Sequence, residues 1–392
     1  MLPDRLTQPT YQFLLWGSLA FVLSTSLAYA QPAQNGSLDS TRLKNAIPAF
    51  EKQVERLRQH YHIPGISAGI VQGKALVWKK GFGFSDLENK RVPDEKTIYQ
   101  IASLSKTFGS ILLMQQVEAG RVSLEDPISK YGINLGARWG SDPRIRIKHL
   151  LTHTAMGNTW NGFKPGYSFR YNGDWYHQLI FPIEQASGLT YGKLFMQQIV
   201  RPLGLKNTVP SMDDSVDFGL TGYKPDSFRR SVAKPYDWQH GRLVPVEYRY
   251  AFGPAAGIMS NVEDLGKYAA ALEEGWFLSP QSWDKVFTRF VTPSGKTIPY
   301  GLGWFIKYYR GVKVIWHTGW WTGYSALFVR IPEKNLTLIL LANSQDLSRP
   351  FYHVLQPLPG LQFFSPFQIN LGYDLMASDF ARSFLNDVVG IH

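Results

Sequence analysis

The stretch "TIYQIASLSKTFGSILLMQQVEAG", residues 97–120, passes from a short β-rich run directly into an apolar segment. Leu104, Phe108 and Ile111 recur at helical spacing in that segment, and Gly120 supplies a stop signal after it. The sequence therefore predicts a strand that leads at once into a buried helix.

β-rich runs lie on both sides of this stretch. Upstream, two apolar runs flank the turn signal Gln72-Gly73-Lys74, which predicts a β-hairpin. Downstream, a series of short runs joined by brief links predicts an antiparallel meander, and these runs are "LGWFIKYY", "KVIWHTG", "YSALFVRIP" and "LTLILLAN". Helical patterns precede the hairpin, with Pro48 expected in the first turn, and follow the meander in "DLMASDFARSFLNDVV".

The strands from the two ends of the chain predict an α+β fold, in which an antiparallel sheet is flanked by helices. Residues 121–290 between them are rich in loops and helical pieces, and we interpret them as an inserted, mainly helical subdomain. One of its helices begins near Ser260 and Glu263, whose spacing predicts a capping box. We expect a cleft where the insert meets the sheet.

Residues 1–30 have the pattern of a secretory signal peptide. Arg5 precedes the apolar run "FLLWGSLAFVL", and Ala28-Tyr29-Ala30 fits the small-residue rule for cleavage. The alternative is an uncleaved anchor, although the run is short for a transmembrane helix. We therefore expect a mature domain of residues 31–392 that is periplasmic or secreted, with no stable membrane span after cleavage.

The composition excludes several kinds of chemistry. The 392-residue chain has no Cys, which excludes disulfides, thiol catalysis and Cys-ligated metals. Its net charge is +11, and an exported basic chain is expected to meet anionic envelope polymers or lipid headgroups rather than nucleic acid. We expect no cofactor and no metal, because the sequence has no phosphate-binding G-x-x-x-x-G-K-[ST] loop and the pair His149 and His153 in "HLLTH" lacks a third ligand.

Three serines lie in patterns typical of nucleophiles. Ser67 lies in "GISAG", a G-x-S-x-G match, but a predicted helix precedes it and a strand follows, whereas a nucleophile elbow needs strand, turn and helix in that order. Ser103 in "SLSK" and Ser282 in "SWDK" both match S-x-x-K, a nucleophile motif. Ser282 follows Pro280 in a polar stretch typical of a helix start, so Ser103 is the better candidate.

The S-x-x-K spacing suits nucleophilic catalysis. Residues i and i+3 share one face of a helix, so Lys106 can bring its amine to the Ser103 hydroxyl. A serine needs a base that removes its proton, and a lysine becomes such a base when burial or nearby cations lower its pKa. The N-terminus of the helix adds N–H groups and partial positive charge at the same place.

A third motif, His317-Thr318-Gly319, ends one of the predicted strands. On a strand that faces a cleft, His317 offers a basic group, Thr318 offers a hydroxyl, and Gly319 leaves room for a substrate backbone. The alternative is an ordinary turn at the end of a strand.

With Ser103, Lys106 and His317-Thr318-Gly319, the chain resembles the serine β-lactamase-like family, which includes class C β-lactamases, D-alanyl-D-alanine carboxypeptidases, D-aminopeptidases and related esterases. The resemblance covers about residues 45–345. It is also carried by "HLLTHTAMG", "PGYSFRYNGDWY", "GPAAGIMSNVEDLGKY", "YGLGW" and "WHTGWWTGYSA". It implies an antiparallel sheet flanked by helices, with the active site between the sheet and a helical subdomain.

The resemblance implies further site residues in a P-G-x-x-F-x-Y-x-N frame. Tyr171 matches the Tyr of the frame and is implied as the partner of Lys106 in proton transfer, with Lys106 and His317 as the cations that would help it to ionise. The Asn of the frame is Gly173 here, and Asn172, one place earlier, is the candidate amide contact for substrate.

The resemblance implies an acyl-transfer mechanism. Ser103 attacks an amide or ester carbonyl, the N–H groups of Ser103 and Trp320 stabilise the oxyanion, and water later releases the acyl group. The expected substrate is a small molecule or a peptide, such as a D-amino-acid peptide of the cell wall or a β-lactam. Two alternatives remain, a carboxylesterase without β-lactam activity and a non-catalytic binding protein of the same fold.

Overall fold

The computed structural model describes residues 40–136, 141–156, 164–212, 225–251, 253–351, 353–354, 368–369 and 373–392. The signal-like segment lies outside the described residues, so its role stays a prediction. Within the described ranges, no helix combines the length and the apolar character needed to cross a bilayer.

The described chain begins with a helix and three strands, continues through a run of helices, and returns to strands before its last helix. The helices are α1 (Ser40–His60), α2 (Ser105–Glu118), α3 (Ile147–Leu151), α4 (Gly173–His177), α5 (Ile180–Ser187), α6 (Tyr191–Phe195), α7 (Pro225–Ser231), α8 (Val262–Glu273), α9 (Pro280–Val286) and α10 (Asp379–Ser383). The strands are β1 (Gly65–Gln72), β2 (Ala75–Gly83), β3 (Tyr99–Gln100), β4 (Tyr236–Gln239), β5 (Arg242–Pro245), β6 (Met259–Ser260), β7 (Phe305–Tyr309), β8 (Val312–Trp321), β9 (Tyr324–Ile331), β10 (Leu336–Ala342), β11 (His353–Val354) and β12 (Gln368–Ile369).

The main sheet has six antiparallel strands in the order β2-β1-β10-β9-β8-β7. The hairpin β1–β2 comes from the N-terminal part of the chain and the meander β7–β10 from the C-terminal part. They join where β1 pairs with β10, and Gly69 faces Ile339 in that register. The predicted hairpin, meander and two-ended sheet are confirmed.

One face of the sheet is covered by α1 and by the C-terminal helical segment. Phe50 and Val54 of α1 share a core with Phe384 and with Ile66 and Ile70 of β1. Alternate residues of a strand point to opposite faces, so the even-numbered positions of β1 supply this layer.

The other face of the sheet is covered by α2 and α8. A Cβ on Gly69 would lie 2.5 Å from Val262, so this glycine of β1 lets α8 sit close to the sheet. By number α8 falls inside the predicted helical insert, but it packs on the sheet and belongs to the flanking layer.

The helix α2 lies at the centre of the molecule. The sequence predicted an apolar stripe, yet every residue from Ser105 to Met114 is buried. The reason is that α5, α6 and α9 contact α2, so its polar face is covered as well as its apolar one. The predicted strand, junction and buried helix are confirmed.

Two local predictions differ from the structure, and one local feature was not predicted. Pro48 lies inside α1 rather than in its first turn, because the packing of α1 on the sheet outweighs the hydrogen bond that a proline removes. Asn261, not Ser260, caps α8, and its side chain accepts the N–H of Asp264 at 2.8 Å. The hairpin β4–β5 within the helical insert was not predicted.

Candidate active site

Ser103 lies where β3 turns into α2, in a single turn of 3₁₀ helix over Ala102–Leu104. Ala102 has a left-handed φ of 49°, which costs a non-glycine residue roughly 1–2 kcal/mol. The surrounding backbone holds this conformation, since the N–H of Ile101 donates to the carbonyl of Ile258 at 2.9 Å. The partly exposed Ser103 is thus presented at the N-terminus of a fourteen-residue buried helix.

The amine of Lys106 is buried beside Ser103. Its side chain is 1% exposed, and Nζ donates to Ser103 Oγ at 3.0 Å and to the carbonyl of Ala255 at 2.9 Å. Burial lowers the pKa of Lys106 to about 7, although the carboxylate of Asp174 opposes the shift. A substantial fraction of the amine is therefore neutral at neutral pH and can accept a proton from the serine.

Two tyrosine rings enclose this amine. Lys106 Nζ lies 5.0 Å from the ring centroid of Tyr171 and 5.4 Å from that of Tyr176. The Tyr176 hydroxyl donates to the carbonyl of Lys106 at 2.9 Å, so α4 braces the first turn of α2. Tyr171, predicted as the proton-transfer partner of Lys106, therefore lies next to Lys106 in the structure.

His317 is neutral in the structure. Its Nδ1 donates to the carbonyl of Thr318 at 2.7 Å, because that oxygen can only accept, and its Nε2 accepts from the Tyr300 hydroxyl at 2.9 Å. Complete burial, together with Lys106, lowers the pKa of His317 to about 3. The prediction that His317 supplies a positive charge to Tyr171 is therefore wrong at neutral pH. Its ring still lies 6.2 Å from that of Tyr171, centroid to centroid.

At Gly319, β8 passes so close to the backbone before Ser103 that a side chain has no room. A Cβ at this position would lie 2.2 Å from the carbonyl oxygen of Ile101. The structure thus gives a reason for glycine that the sequence did not suggest, namely the close approach of β8 to the segment that carries Ser103. The predicted role, room for a substrate backbone, stays a prediction. Thr318 is buried on β8 and Trp320 is partly exposed. Their substrate contacts and the oxyanion hole stay predictions.

Asn172 and Gly173 take different places in the site. The side-chain oxygen of Asn172 accepts the N–H of Trp175 at 2.9 Å and caps α4. A Cβ on Gly173 would lie 3.8 Å from Lys106 Nζ. Position 173 therefore faces the lysine amine, whereas the amide oxygen of Asn172 is engaged in capping.

The structure adds His153, Tyr176 and Tyr300 to the site, which the sequence analysis missed. His153 was noted as half of a metal-like pair with His149. Each of the two histidines instead uses Nδ1 to accept a backbone N–H, and no group of three or more metal-ligating side chains occurs in the part of the chain that the structure describes. The sequence analysis thus singled out His153, but not for the contacts that it makes in the structure.

The other two candidate serines have ordinary structural places. Ser67 is buried on β1, and its hydroxyl bonds to the carbonyl of Asp94 at 2.6 Å and to the hydroxyl of Tyr99 at 2.9 Å. Ser282 lies in the first turn of α9, whose cap is Ser279. The preference for Ser103 over both is consistent with this geometry.

The fold and the Ser103–Lys106 contact are those expected of a serine hydrolase of the β-lactamase type. A model of the β-lactamase family matches residues 50–353, and the chain belongs to this family. The resemblance inferred from the motifs is confirmed.

Three proteins illustrate what the chain is similar to. Penicillin-binding protein 4* of Bacillus subtilis is 23% identical over 333 residues, which cover 76% of this chain and 72% of that protein. The unguisins hydrolase ungD' of Aspergillus campestris is 24% identical, and the match covers 75% of this chain but 61% of the fungal protein. The octameric penicillin-binding protein homologue of Pyrococcus abyssi has a TM-score of 0.65 and 27% identity, with 76% of this chain and 74% of that chain covered. Such relatives support the fold and the serine-hydrolase class.

The close approach at Gly319 can be tested by adding one methyl group. We expect Gly319→Ala to lower the free energy of unfolding by about 1–3 kcal/mol, because the Ile101 backbone must move. Urea unfolding measures this. The control is Gly266→Ala in α8, where a Cβ has ordinary contacts from 3.7 Å and the substitution should be neutral or stabilising by up to about 1 kcal/mol. Equal stability of the two variants would show that β8 does not need glycine here.

Proposed function

We propose that the protein is an exported serine hydrolase that forms an acyl-enzyme on Ser103 and hydrolyses an amide or ester. The observation that carries the proposal is the 3.0 Å contact between Lys106 Nζ and Ser103 Oγ at the N-terminus of α2. A hydroxyl with a base in hydrogen-bond reach is the arrangement that nucleophilic catalysis requires. The family of the chain supports the same reaction class.

Proton transfer begins at Lys106 in this proposal. The neutral amine takes the proton of the Ser103 hydroxyl as Oγ bonds to the substrate carbonyl carbon, and the carbonyl π electrons move to its oxygen. The tetrahedral intermediate then collapses, the leaving amine or alkoxide takes a proton from the lysine, and Ser103 keeps the acyl group. Water then attacks the acyl carbon while Lys106 takes a proton from it. The bond to Ser103 Oγ breaks, and Oγ takes that proton back, which regenerates the hydroxyl and releases the acid.

Tyr171 and His317 shape this proton transfer. The ring of Tyr171 contacts the lysine amine, which places its phenol within the same buried site. Because His317 is neutral, it adds no positive charge that would further depress the basicity of Lys106. The N–H groups of Ser103 and Trp320 are proposed as the oxyanion donors, and Thr318 as a contact for a substrate carboxylate.

A D-amino-acid peptide of the cell wall is the leading substrate class. The name of the Bacillus relative describes a protein that binds penicillin, which is consistent with the carboxypeptidase and β-lactamase substrates that the resemblance implies. An export signal and a net charge of +11 would place the protein near anionic wall polymers. We therefore propose a periplasmic or secreted location and a small-molecule or peptide substrate, with no nucleic acid and no stable membrane span.

Gly173 favours a second candidate, a carboxylesterase with little β-lactam activity. In the resemblance, an amide at this position holds the acylamide side chain of a β-lactam, and glycine supplies none. Position 173 faces Lys106, so the missing group would have lain directly beside the reacting atoms. A small ester needs no such contact.

Replacement of the nucleophile tests the proposed function. With benzylpenicillin and p-nitrophenyl acetate as substrates, we expect Ser103→Ala to lose turnover by about a thousandfold or more and to form no covalent adduct. Intact mass and peptide mapping measure the adduct. Ser282→Ala, the other S-x-x-K serine, is the matched control and should keep both. Full activity of Ser103→Ala would refute the assignment.

The pH profile tests the role of Lys106. The base form of a group grows as pH rises through its pKa, and burial places that of Lys106 at about 7. We expect kcat/KM for p-nitrophenyl acetate to rise from pH 6 and to level off above about pH 8. Lys106→Arg should be inactive, because a guanidinium stays protonated throughout this range. A flat profile between pH 6 and 9 would exclude the lysine as base.

A gain-of-function variant separates the two substrate classes. A Cβ on residue 173 would lie 3.8 Å from Lys106 Nζ, which is an ordinary contact distance. We therefore expect Gly173→Asn to fold. We expect it to accelerate acylation by benzylpenicillin about tenfold, the effect of one added hydrogen bond. Gly173→Ala fills the same space without an amide and should show no gain. Equal rates for both variants would show that the missing amide does not limit the reaction with β-lactams.

A further inference from the structure

His153 binds the backbone on both sides of Tyr171. Its carbonyl oxygen accepts the N–H of Arg170 at 2.8 Å, and its imidazole Nδ1 accepts the N–H of Asn172 at 3.1 Å. One residue therefore holds the two amides that flank Tyr171, one through its main chain and one through its side chain. The direction of the Tyr171 side chain is fixed by the backbone that carries it.

The imidazole of His153 also packs against the tyrosine ring itself. The two ring centroids are 4.2 Å apart with an interplanar angle of 34°. The same imidazole lies 5.0 Å from the ring of Tyr300, which bonds to His317, and 5.3 Å from the ring of Tyr176, which bonds to Lys106. His153 thus contacts both tyrosine rings that enclose the Lys106 amine, and also the tyrosine that bonds to His317.

The conformation of His153 is costly by itself. Its φ of 54° lies in the left-handed region, which disfavours side chains of this size. The bond at Nδ1 places the proton of the neutral ring on Nε2, where it is buried without an acceptor among the described residues. Burial, with Lys106 and His317 nearby, lowers the pKa of His153 well below its usual value, so the ring is neutral. An apolar side chain would avoid the buried N–H, which indicates that the acceptor nitrogen has a use.

We propose that His153 is a positioning residue that holds the Tyr171 phenol beside the Lys106 amine, and this inference rests on the proposed function. The role needs a flat ring and a hydrogen-bond acceptor in one side chain. Phenylalanine supplies the ring without the acceptor, and asparagine supplies an acceptor without the ring. His153 acts through Tyr171 and does not itself touch the reacting atoms.

A double-mutant cycle tests this coupling. We expect His153→Phe to lower kcat for p-nitrophenyl acetate about tenfold with KM changed less than about twofold, because the chemistry rather than binding is disturbed. In the Tyr171→Phe background the same substitution should change kcat by less than about twofold. His149→Phe is the matched control, since His149, four residues earlier in α3, also accepts a backbone N–H through Nδ1, from Arg146 at 3.0 Å.

Each outcome of the cycle decides the inference. An equal loss in both backgrounds, or a Tyr171→Phe variant with unchanged kcat, would overturn it, because a merely structural role acts without Tyr171. Should His153→Phe fail to fold, His153→Asn retains an acceptor and tolerates a left-handed φ, and its partial loss of kcat must likewise vanish without Tyr171. If Ser103→Ala abolishes turnover while the cycle is additive, this inference fails and the proposed function stands. If Ser103→Ala remains active, the proposed function fails first.

Discussion

The burial of one amine is the constraint on which the site depends. Lys106 is 1% exposed, and a protonated ammonium is costly in such a place unless every donor finds an acceptor. The chain supplies Ser103 Oγ and the carbonyl of Ala255, and two tyrosine rings complete the enclosure. These contacts are too few to restore the pKa of a solvated lysine, so the amine becomes a usable base near neutral pH. The same burial keeps His317 and His153 neutral, which prevents two more cations from crowding the lysine.

A second constraint follows from where the amine lies. The helix α2 carries Lys106, and the 3₁₀ turn directly before it carries Ser103. This segment can be enclosed only if the sheet and the helical segments close around it. The sheet comes close to this segment at Gly319 of β8, where the absence of a side chain leaves space for the carbonyl of Ile101. β7 pairs with β8 from Val312 to Trp316, so the end of β8 continues past its neighbour to meet the nucleophile segment. The site therefore depends on the packing of the whole fold around one helix.

This chain differs from the family pattern at positions beside Lys106. Gly173 leaves a space beside Lys106 where the resemblance implies an amide, and Asn172 next to it is engaged in capping α4. In the proposed function, the reaction class follows from the contact between Ser103 and Lys106, whereas the substrate follows from neighbouring positions such as Gly173. One fold can serve many substrates, so membership of the β-lactamase family does not determine the compound on which this protein acts.

Sequence alone determined the features that arise from local periodicity and spacing. The short apolar runs and the turn signals between them predicted the hairpin and the meander, and the i, i+3 spacing placed Lys106 beside Ser103. Tertiary structure decided what depends on burial and on contacts between distant segments. Three features depend on residues far apart in the chain, which no local pattern encodes. They are the neutral state of His317, the need for glycine at position 319, and the hydrogen bond from the backbone beside Tyr171 to His153. Pro48 within α1 shows the same rule, because packing on the sheet outweighed a local preference.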